Sequence, residues 1–548
     1  MKNLNKKHWY IIGTWFIINL LQAYFTGLHS DESYYWMYSQ NLDWGYFDHP
    51  PMAALWIYLG HMILPGELGV RIFIILLSTI TFALILNELN EREDHFFLGV
   101  FVLSFPLMHT HIAGFIALPD VPLLFFTFLF LLLYRKFLGK PEAVTAIMLG
   151  IVAAMMIYSK YHAFLVIGLT VLSNLKLLRN KYFWMAAVVT ILLLLPHIYW
   201  QIDNGFPTFK YHLVDRAKPF RIKHITDNML NQLVMAGPLT GILVYWKLSK
   251  FRIKNAFDRM LVFNIVGFYS VLFIMSFKNR IEAHWTAAII PMIMMIVYPL
   301  IKKDEVIRIW FKRLAVPVIF LMLLYRIYLA VDVIPNAGHL KITFYNREAS
   351  AMEIKQMANG KKVGFFDNYA AISNYIFYTG DSAVLFSTPG YRFCQYDLWD
   401  DEKYANGEAV FAIQSRHLNP PNQYKTATGE TKGYIEVEEF QSLKGLTPRL
   451  VKKERTDSRF RFEVTLFNEG PSYVYTDHVS EPVLCMMQNN VEVHVIRLQS
   501  KQLKIDPGQL VTYIIYLDAF AINPKIPVSV YTRTRENIRG GLISFMIE

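Results

Sequence analysis

The sequence predicts an α-helical polytopic membrane protein that also carries a water-soluble C-terminal region of α/β and β-sandwich character. Three observations support this. The chain has 548 residues, 54% of them hydrophobic and only 18% charged, whereas an ordinary soluble protein is about a quarter charged. Almost all of the apolar excess lies before residue 332, in runs of roughly 17–22 residues joined by short polar connections. From Asp332 onward, short alternating stretches are separated by Gly, Pro and Asn.

Taken in order, the apolar runs place about eleven transmembrane helices at 9–28, 69–89, 96–114, 118–134, 143–159, 162–175, 183–200, 232–246, 260–277, 284–301 and 313–331. Pro196 and Pro291 fall within spans, where neighbouring helices can satisfy the carbonyls they free. Residues 52–65 are apolar but short, as expected of an interfacial or re-entrant helix. The N-terminus has the basic-then-apolar order of a signal peptide, but no A-x-A-like cleavage site follows. It reads as an uncleaved first helix.

Placing the N-terminus inside assigns twenty Lys/Arg to the inner connections and eight to the outer ones, the bias expected of the positive-inside rule. An odd number of spans then leaves the C-terminal region outside. Residues 1–335 form the expected membrane domain. Residues 336–404 mix helical segments with VGFFD and SAVLFS, as in a small α/β unit, and 405–548 alternate as in an antiparallel β-sandwich. The net charge of +11 resides largely in topology-setting loops, and no zinc-finger, RNP-like or long basic run accompanies it. Nucleic acid is therefore not an expected partner, whereas membrane lipid is. Cys394 and Cys485 leave two readings open, a pair formed in an oxidising compartment or two structural thiols.

The first outer loop carries the most chemistry. It holds no Lys or Arg, yet it contains Asp31, Glu32, Asp43 and Asp48 with His29, His49 and many aromatics, among them Tyr35. Carboxylates at the membrane boundary are costly unless solvated, paired or functional. A solvated helix end accounts for either member of the Asp31–Glu32 pair taken singly. Asp120, flanked by Pro119 and Pro122 at the mouth of a later hairpin, is a second acidic site, with a helix cap as its plain role. Three acids on one face suit a general base or a cation. Outward positive charges accompany them: Lys160 beside Tyr161, the loop set Lys210, Arg216, Lys218, Arg221 and Lys223, and Lys278 with Arg280 before His284. Topology disfavours cations there, and binding a phosphate supplies a reason for them. His109 and His111 are two apart, so a helix points them in different directions and a shared metal is not expected. No Walker A, dinucleotide or nucleophile-elbow motif occurs.

The stretches DESYYW, YFDHPP, ALPDVPLLFF, SKYH and HWTAAIIP resemble the GT-C glycosyltransferases, in the bacterial protein O-mannosyltransferase-like and aminoarabinose-transferase-like branch. The resemblance covers roughly residues 1–380. It implies a GT-C-like fold and an inverting transfer of sugar from a polyprenyl-phosphate carrier to a hydroxyl or phosphate of a lipid, glycan or protein. The expected setting is the non-cytoplasmic face of a bacterial cytoplasmic membrane. Asp31 would be the general base, Glu32 its support and Asp120 the second catalytic acid, with Asp31 and Asp120 the ligands of a divalent metal ion as found in some relatives. The donor-binding set would comprise Tyr35, Asp48, His49, Lys160, Tyr161, Arg216, Lys218, Lys278, Arg280 and His284. His49 departs from the Lys that the aminoarabinose-transferase branch places before the two prolines. An imidazole still donates to phosphate but is mostly neutral near pH 7.

Two other classes compete. A lipid-glycan flippase would use the same charges, but the inverted repeats and mid-membrane polar residues of transporters are scarce here. A membrane anchor for a β-sandwich binding module would make the loop carboxylates incidental.

Overall fold

The computed structural model describes residues 4–212, 220–331, 344–389, 391–414, 420–426, 431–456, 458–489, 491–498, 503–519 and 521–547. The chain divides into two compact units, Met1–Tyr345 and Asn346–Glu548. The expected junction at 335 lies outside the described residues.

The first unit is helical: α1 (Lys6–Phe25), α2 (Ser30–Gln40), α3 (Met52–His61), α4 (Gly66–Leu89), α5 (His95–Leu103), α6 (Asp120–Gly139), α7 (Ala143–Ser159), α8 (His162–Ser173), α9 (Lys181–Asp203), α10 (Pro207–Lys210), α11 (Ile222–Met235), α12 (Gly241–Ser249), α13 (Ala256–Met275), α14 (Ile290–Lys302) and α15 (Glu305–Ala330). Among the described residues, six helical segments are long and apolar enough to cross a membrane, and α1 with α2 passes the same test as a pair bent by 86°. α7 and α8 are apolar but shorter. The protein is therefore a multi-pass membrane protein. α3 has ten residues, about 15 Å of helix, which is too short to span, as expected for 52–65.

Two of the eleven expected spans are broken. The run 96–114 stops as a helix at Leu103 and resumes as a π-helical turn, Met108–Ile112. Pro106 lies in the gap, where it can donate no backbone hydrogen bond. The run 232–246 is split between α11 and α12 at Gly237, whose φ of +124° only glycine adopts readily and where a Cβ would meet Thr240 Oγ1 at 2.0 Å. Pro291 opens α14 instead of interrupting it, because residues 283–289 are a 3₁₀ helix. α9 and α15 leave Leu192, Tyr199, Phe320 and Leu321 more than half exposed, as lipid-facing helices do. The core lies among α4, α5, α6, α7, α13 and α14.

The second unit starts with α16 (Arg347–Ala358), β1 (Lys362–Phe366), α17 (Tyr369–Thr379), β2 (Ala383–Phe386), α18 (Gln395–Trp399), β3 (Val410–Gln414), β4 (Asn422–Lys425) and β5 (Thr431–Val437). These strands form one sheet in the order β2-β1-β3-β5-β4, with β1 parallel to both β2 and β3. The expected boundary at 404 is thereby corrected, since the α/β layer continues to Val437. β3 pairs with β1 across a long connection, and strand alternation in sequence does not report which sheet a strand joins.

The remaining strands are β6 (Leu446–Arg455), β7 (Arg459–Asn468), β8 (Val474–Tyr475), β9 (Val483–Gln488), β10 (Val491–Arg497), β11 (Lys504–Ile505), β12 (Leu510–Asp518), β13 (Val528–Arg533) and β14 (Arg539–Phe545). β12-β7-β6 and β10-β9-β13-β14 are separate antiparallel sheets. Phe460, Phe462, Val464 and Leu466 on alternate positions of β7 share a core with Leu484, Met486, Val528 and Val530 of the other sheet. This is the predicted sandwich. Cys394 and Cys485 are buried and free.

Candidate active site

The site begins where α1 gives way to α2. His29 is the N-cap of α2, and its Nδ1 accepts the Asp31 N–H at 3.2 Å, while Glu32 reaches back to accept the His29 N–H at 2.7 Å. This reciprocal arrangement is a capping box. Glu32 has no exposed surface and meets the equally buried Arg71 of α4, whose Nε donates to Oε1 at 2.8 Å. The same guanidinium donates to the carbonyls of Ala23, Thr26 and Gly27, groups the end of α1 leaves without helical partners. Glu32 Oε1 also accepts the Ala117 N–H at 2.7 Å. One ion pair thus ties together α1, α2, α4 and the segment leading to Asp120. Glu32, expected beside Asp31 as a catalytic group, has its carboxylate occupied by this scaffold. The Asp31 side chain is 38% exposed and lies 3.7 Å from His29 Nδ1.

Asp120 is the first residue of α6 but makes no side-chain cap. Both of its oxygens accept from Lys160 Nζ at 2.8 Å, and both residues are buried. Lys160 is delivered by the extended residue that closes α7. His111 and His284 stack at 4.9 Å beside this pair, and His49 and His162 also lie within its electrostatic reach. His111 is in turn within reach of His29, the neighbour of Asp31. The two acids therefore share one end of the bundle, linked through a run of histidines.

His49 lies in the loop before α3, edge-on to Tyr35 at 5.4 Å, and its buried Nδ1 has no hydrogen-bond partner among the described residues. Burial pushes its imidazole down to about 4, only partly opposed by Asp48, so it is neutral at neutral pH. Asp48 accepts the Tyr38 hydroxyl at 2.7 Å. Tyr161 belongs to a chain fixed by a carbonyl: His197 Nδ1 donates to Trp44 O at 2.6 Å, so Nε2 accepts the Tyr161 hydroxyl at 3.0 Å, and Gln201 donates to the Tyr161 oxygen at 3.1 Å. These bonds, with Trp200 Nε1 on Asp43 at 2.8 Å, lash the loop between α2 and α3 to α9.

Not every expected residue joins the cluster. Lys278 and Arg280 are exposed, and Arg280 lies 3.8 Å from Glu282. Arg216 and Lys218 lie outside the described residues. The expected metal pair is not supported by the donor set, because both Asp120 oxygens hold an ammonium. Among the described residues no three His, Cys, Asp or Glu groups converge to hold a metal ion.

Three residues escaped the sequence reading. Arg71 left a signal, an arginine within an apolar run, which is costly in a membrane unless paired or functional. Regular helical spacing separates His111 from His109, but the chain here is a π-helical turn. Arg326 of α15 is buried and donates to His109 O at 3.0 Å and Asn19 Oδ1 at 2.8 Å, satisfying a carbonyl freed by the broken helix.

A bent helix pair, a short apolar helix and acids gathered at one end of an apolar bundle define a multi-pass membrane protein whose fold is similar to that of the solved ArnT. The sequence profile of the dolichyl-phosphate-mannose-protein mannosyltransferase family matches residues 48–200. The crystal structure of ArnT from Cupriavidus metallidurans in the apo state is similar, with a TM-score of 0.55 at 13% identity, covering 79% of this chain and 98% of that one. The same protein bound to undecaprenyl phosphate gives a TM-score of 0.54 over the same coverage. The lipid A galacturonosyltransferase RgtD of Rhizobium johnstonii is 23% identical over 276 residues, which is 47% of this chain. The chain spans 58% of the length of that curated relative.

Proposed function

We propose that this protein is an inverting glycosyltransferase that moves a sugar from a polyprenyl-phosphate carrier to a hydroxyl or phosphate of an acceptor, on the non-cytoplasmic face of a bacterial cytoplasmic membrane. The observation that carries the reading is the contrast between two acids at one end of the bundle. Asp120 is buried and neutralised by Lys160, whereas Asp31 keeps a partly exposed carboxylate beside His29. Asp31 takes the proton of the acceptor hydroxyl as that oxygen attacks the anomeric carbon. The bond from that carbon to the carrier phosphate breaks, and its electron pair leaves on the phosphate oxygen. Lys160 supplies positive charge near that oxygen, and neutral His49 offers one N–H.

The lipid-linked donor accords with the relatives: ArnT has been crystallised with undecaprenyl phosphate, and RgtD is named for a transfer to lipid A. A lipid acceptor is favoured accordingly. The Lys/Arg asymmetry of the connections supports the orientation.

The test is to incubate purified protein with a panel of polyprenyl-phosphate sugars and a lipid A acceptor, measuring released polyprenyl phosphate. Release is expected with one donor and should fall about 10²–10⁴-fold in Asp31→Asn. Undiminished release by Asp31→Asn at equal protein level would remove the assignment of the base.

A further inference from the structure

The second unit contains a cavity of about 450 Å³ lined by Thr388, Glu492, Tyr531, Arg533, Arg535 and Asn537, with Met487 and Pro389 supplying apolar wall. That volume falls in the range of small-molecule sites, about 300–1,000 Å³. We propose that this cavity binds an anionic sugar, a hexose bearing a carboxylate or a phosphate. The site lies in a different unit from Asp31 and does not depend on the reading of the membrane domain.

Its position is the first argument. Thr388 and Pro389 follow β2, at the carboxyl end of the parallel set β2-β1-β3, where α/β sheets bind their ligands. The loop is held there by Asp367, directly after β1, which accepts both the N–H and the hydroxyl of Thr388. The opposite wall comes from β10 and β13 of the sandwich, so the cavity lies between two rigid layers.

Its chemistry is the second argument. Glu492 accepts Nε and Nη2 of Arg533 at 2.7 and 2.9 Å and the Tyr531 hydroxyl as well. Arg533 is thereby fixed, with one further N–H given to Thr534 O at 3.2 Å. Of the five guanidinium N–H groups, two are left over by these bonds. Arg535 lies on the turn joining β13 to β14, where the Asn537 N–H bonds Thr534 O and Asn537 adopts a φ of +65°. Its guanidinium is 69% exposed, and Glu481 at 3.5 Å is shared with Arg497. The wall therefore presents a cationic rim beside a carboxylate. A compact anion alone would be repelled by Glu492, and a neutral sugar would leave Arg535 unused. A ligand with hydroxyls for Glu492 and Asn537 and a negative group for the arginines satisfies both, and its C–H face can rest on Met487 and Pro389.

The test is calorimetric titration of purified full-length protein with glucuronate, glucose 6-phosphate, glucose and inorganic phosphate. At least one of the two anionic sugars is expected to bind saturably, with glucose and inorganic phosphate about tenfold weaker or more. Either anionic sugar alone supports the site and identifies its anion. Arg535→Ala and Asn537→Gly, chosen because one side chain is exposed and the other backbone position accepts glycine, should each weaken binding about tenfold with unchanged unfolding temperature. The control Arg449→Ala, on β6, should leave binding intact. Absence of saturable binding by both anionic sugars, equal binding of inorganic phosphate, or affinities indifferent to both variants would overturn the proposal.

Discussion

Arg71 on α4 and Glu32 on α2 form a fully buried ion pair, and the arginine also closes α1 through three backbone carbonyls. Removing one member leaves the other charged and buried, which costs about 3–5 kcal/mol, whereas removing both relieves much of that cost. Arg71→Met is therefore expected to lower the unfolding temperature sharply, and the double variant with Glu32→Gln to recover part of the loss. Asp31→Asn should leave the unfolding temperature unchanged, because its carboxylate is partly solvated. Thermal unfolding of the three proteins in one detergent checks this. An Arg71→Met variant as stable as the parent would show that the pair is no brace.

Asp120 and Lys160 call for a double-mutant cycle. Asp120→Asn and Lys160→Met should each destabilise the bundle, and the double variant should be more stable than their sum predicts. Activity should behave otherwise, remaining lost in the double variant because the ammonium near the leaving phosphate is gone. Recovery of both stability and transfer would reduce the pair to a structural role.

His49 makes a pH prediction with a definite sign. Its imidazole is held at about 4 in the folded protein, mainly by burial, against roughly 6.5 when unfolded. Below 6.5 the unfolded chain binds the extra proton. The contribution to stability is thus complete above 6.5 and is lost as pH falls toward 4. His49→Gln should flatten the dependence of unfolding temperature on pH within that window. An unchanged slope would mean that His49 ionises freely in the folded state.

Glu91, in the connection after α4, behaves oppositely. Burial would raise its pKa, but Lys302 at 2.7 Å, the Tyr298 hydroxyl at 2.6 Å and the N–H groups of Glu93 and Asp94 hold it down to about 2. Its contribution is present above the unfolded value of about 4.3 and disappears as pH falls through 2. Glu91→Gln should therefore destabilise the protein at pH 7 and narrow the difference from the parent as pH drops below 4. Unfolding temperatures compared at pH 3 and pH 7 decide it.

Much of the fold is legible along the chain because hydrophobic periodicity is a local property. The runs at 143–159, 183–200 and 313–331 read directly as α7, α9 and α15, and the alternation of RFRFEVTLF reads as β7. Where a local break mattered, its residue was visible but its effect was not, as with Pro106 and Gly237. The candidate site was half legible. Unusual charges flagged Asp31, Glu32, Asp120 and Lys160, yet which carboxylate stays accessible and which is neutralised depends on partners 39 and 40 residues away.

From its sequence alone the chain is determined to be a bundle of apolar helices followed by α/β and β-sandwich layers, with acids clustered in connections between helices. Tertiary structure alone decided that Glu32 is a scaffold group, that Asp120 is neutralised, and that β3 to β5 extend the α/β sheet. The physical reason is range. Burial pattern and turn chemistry act over a few residues and are written in order, whereas the pairing of a buried charge is settled only when distant helices bring one partner, and not another, within hydrogen-bond distance.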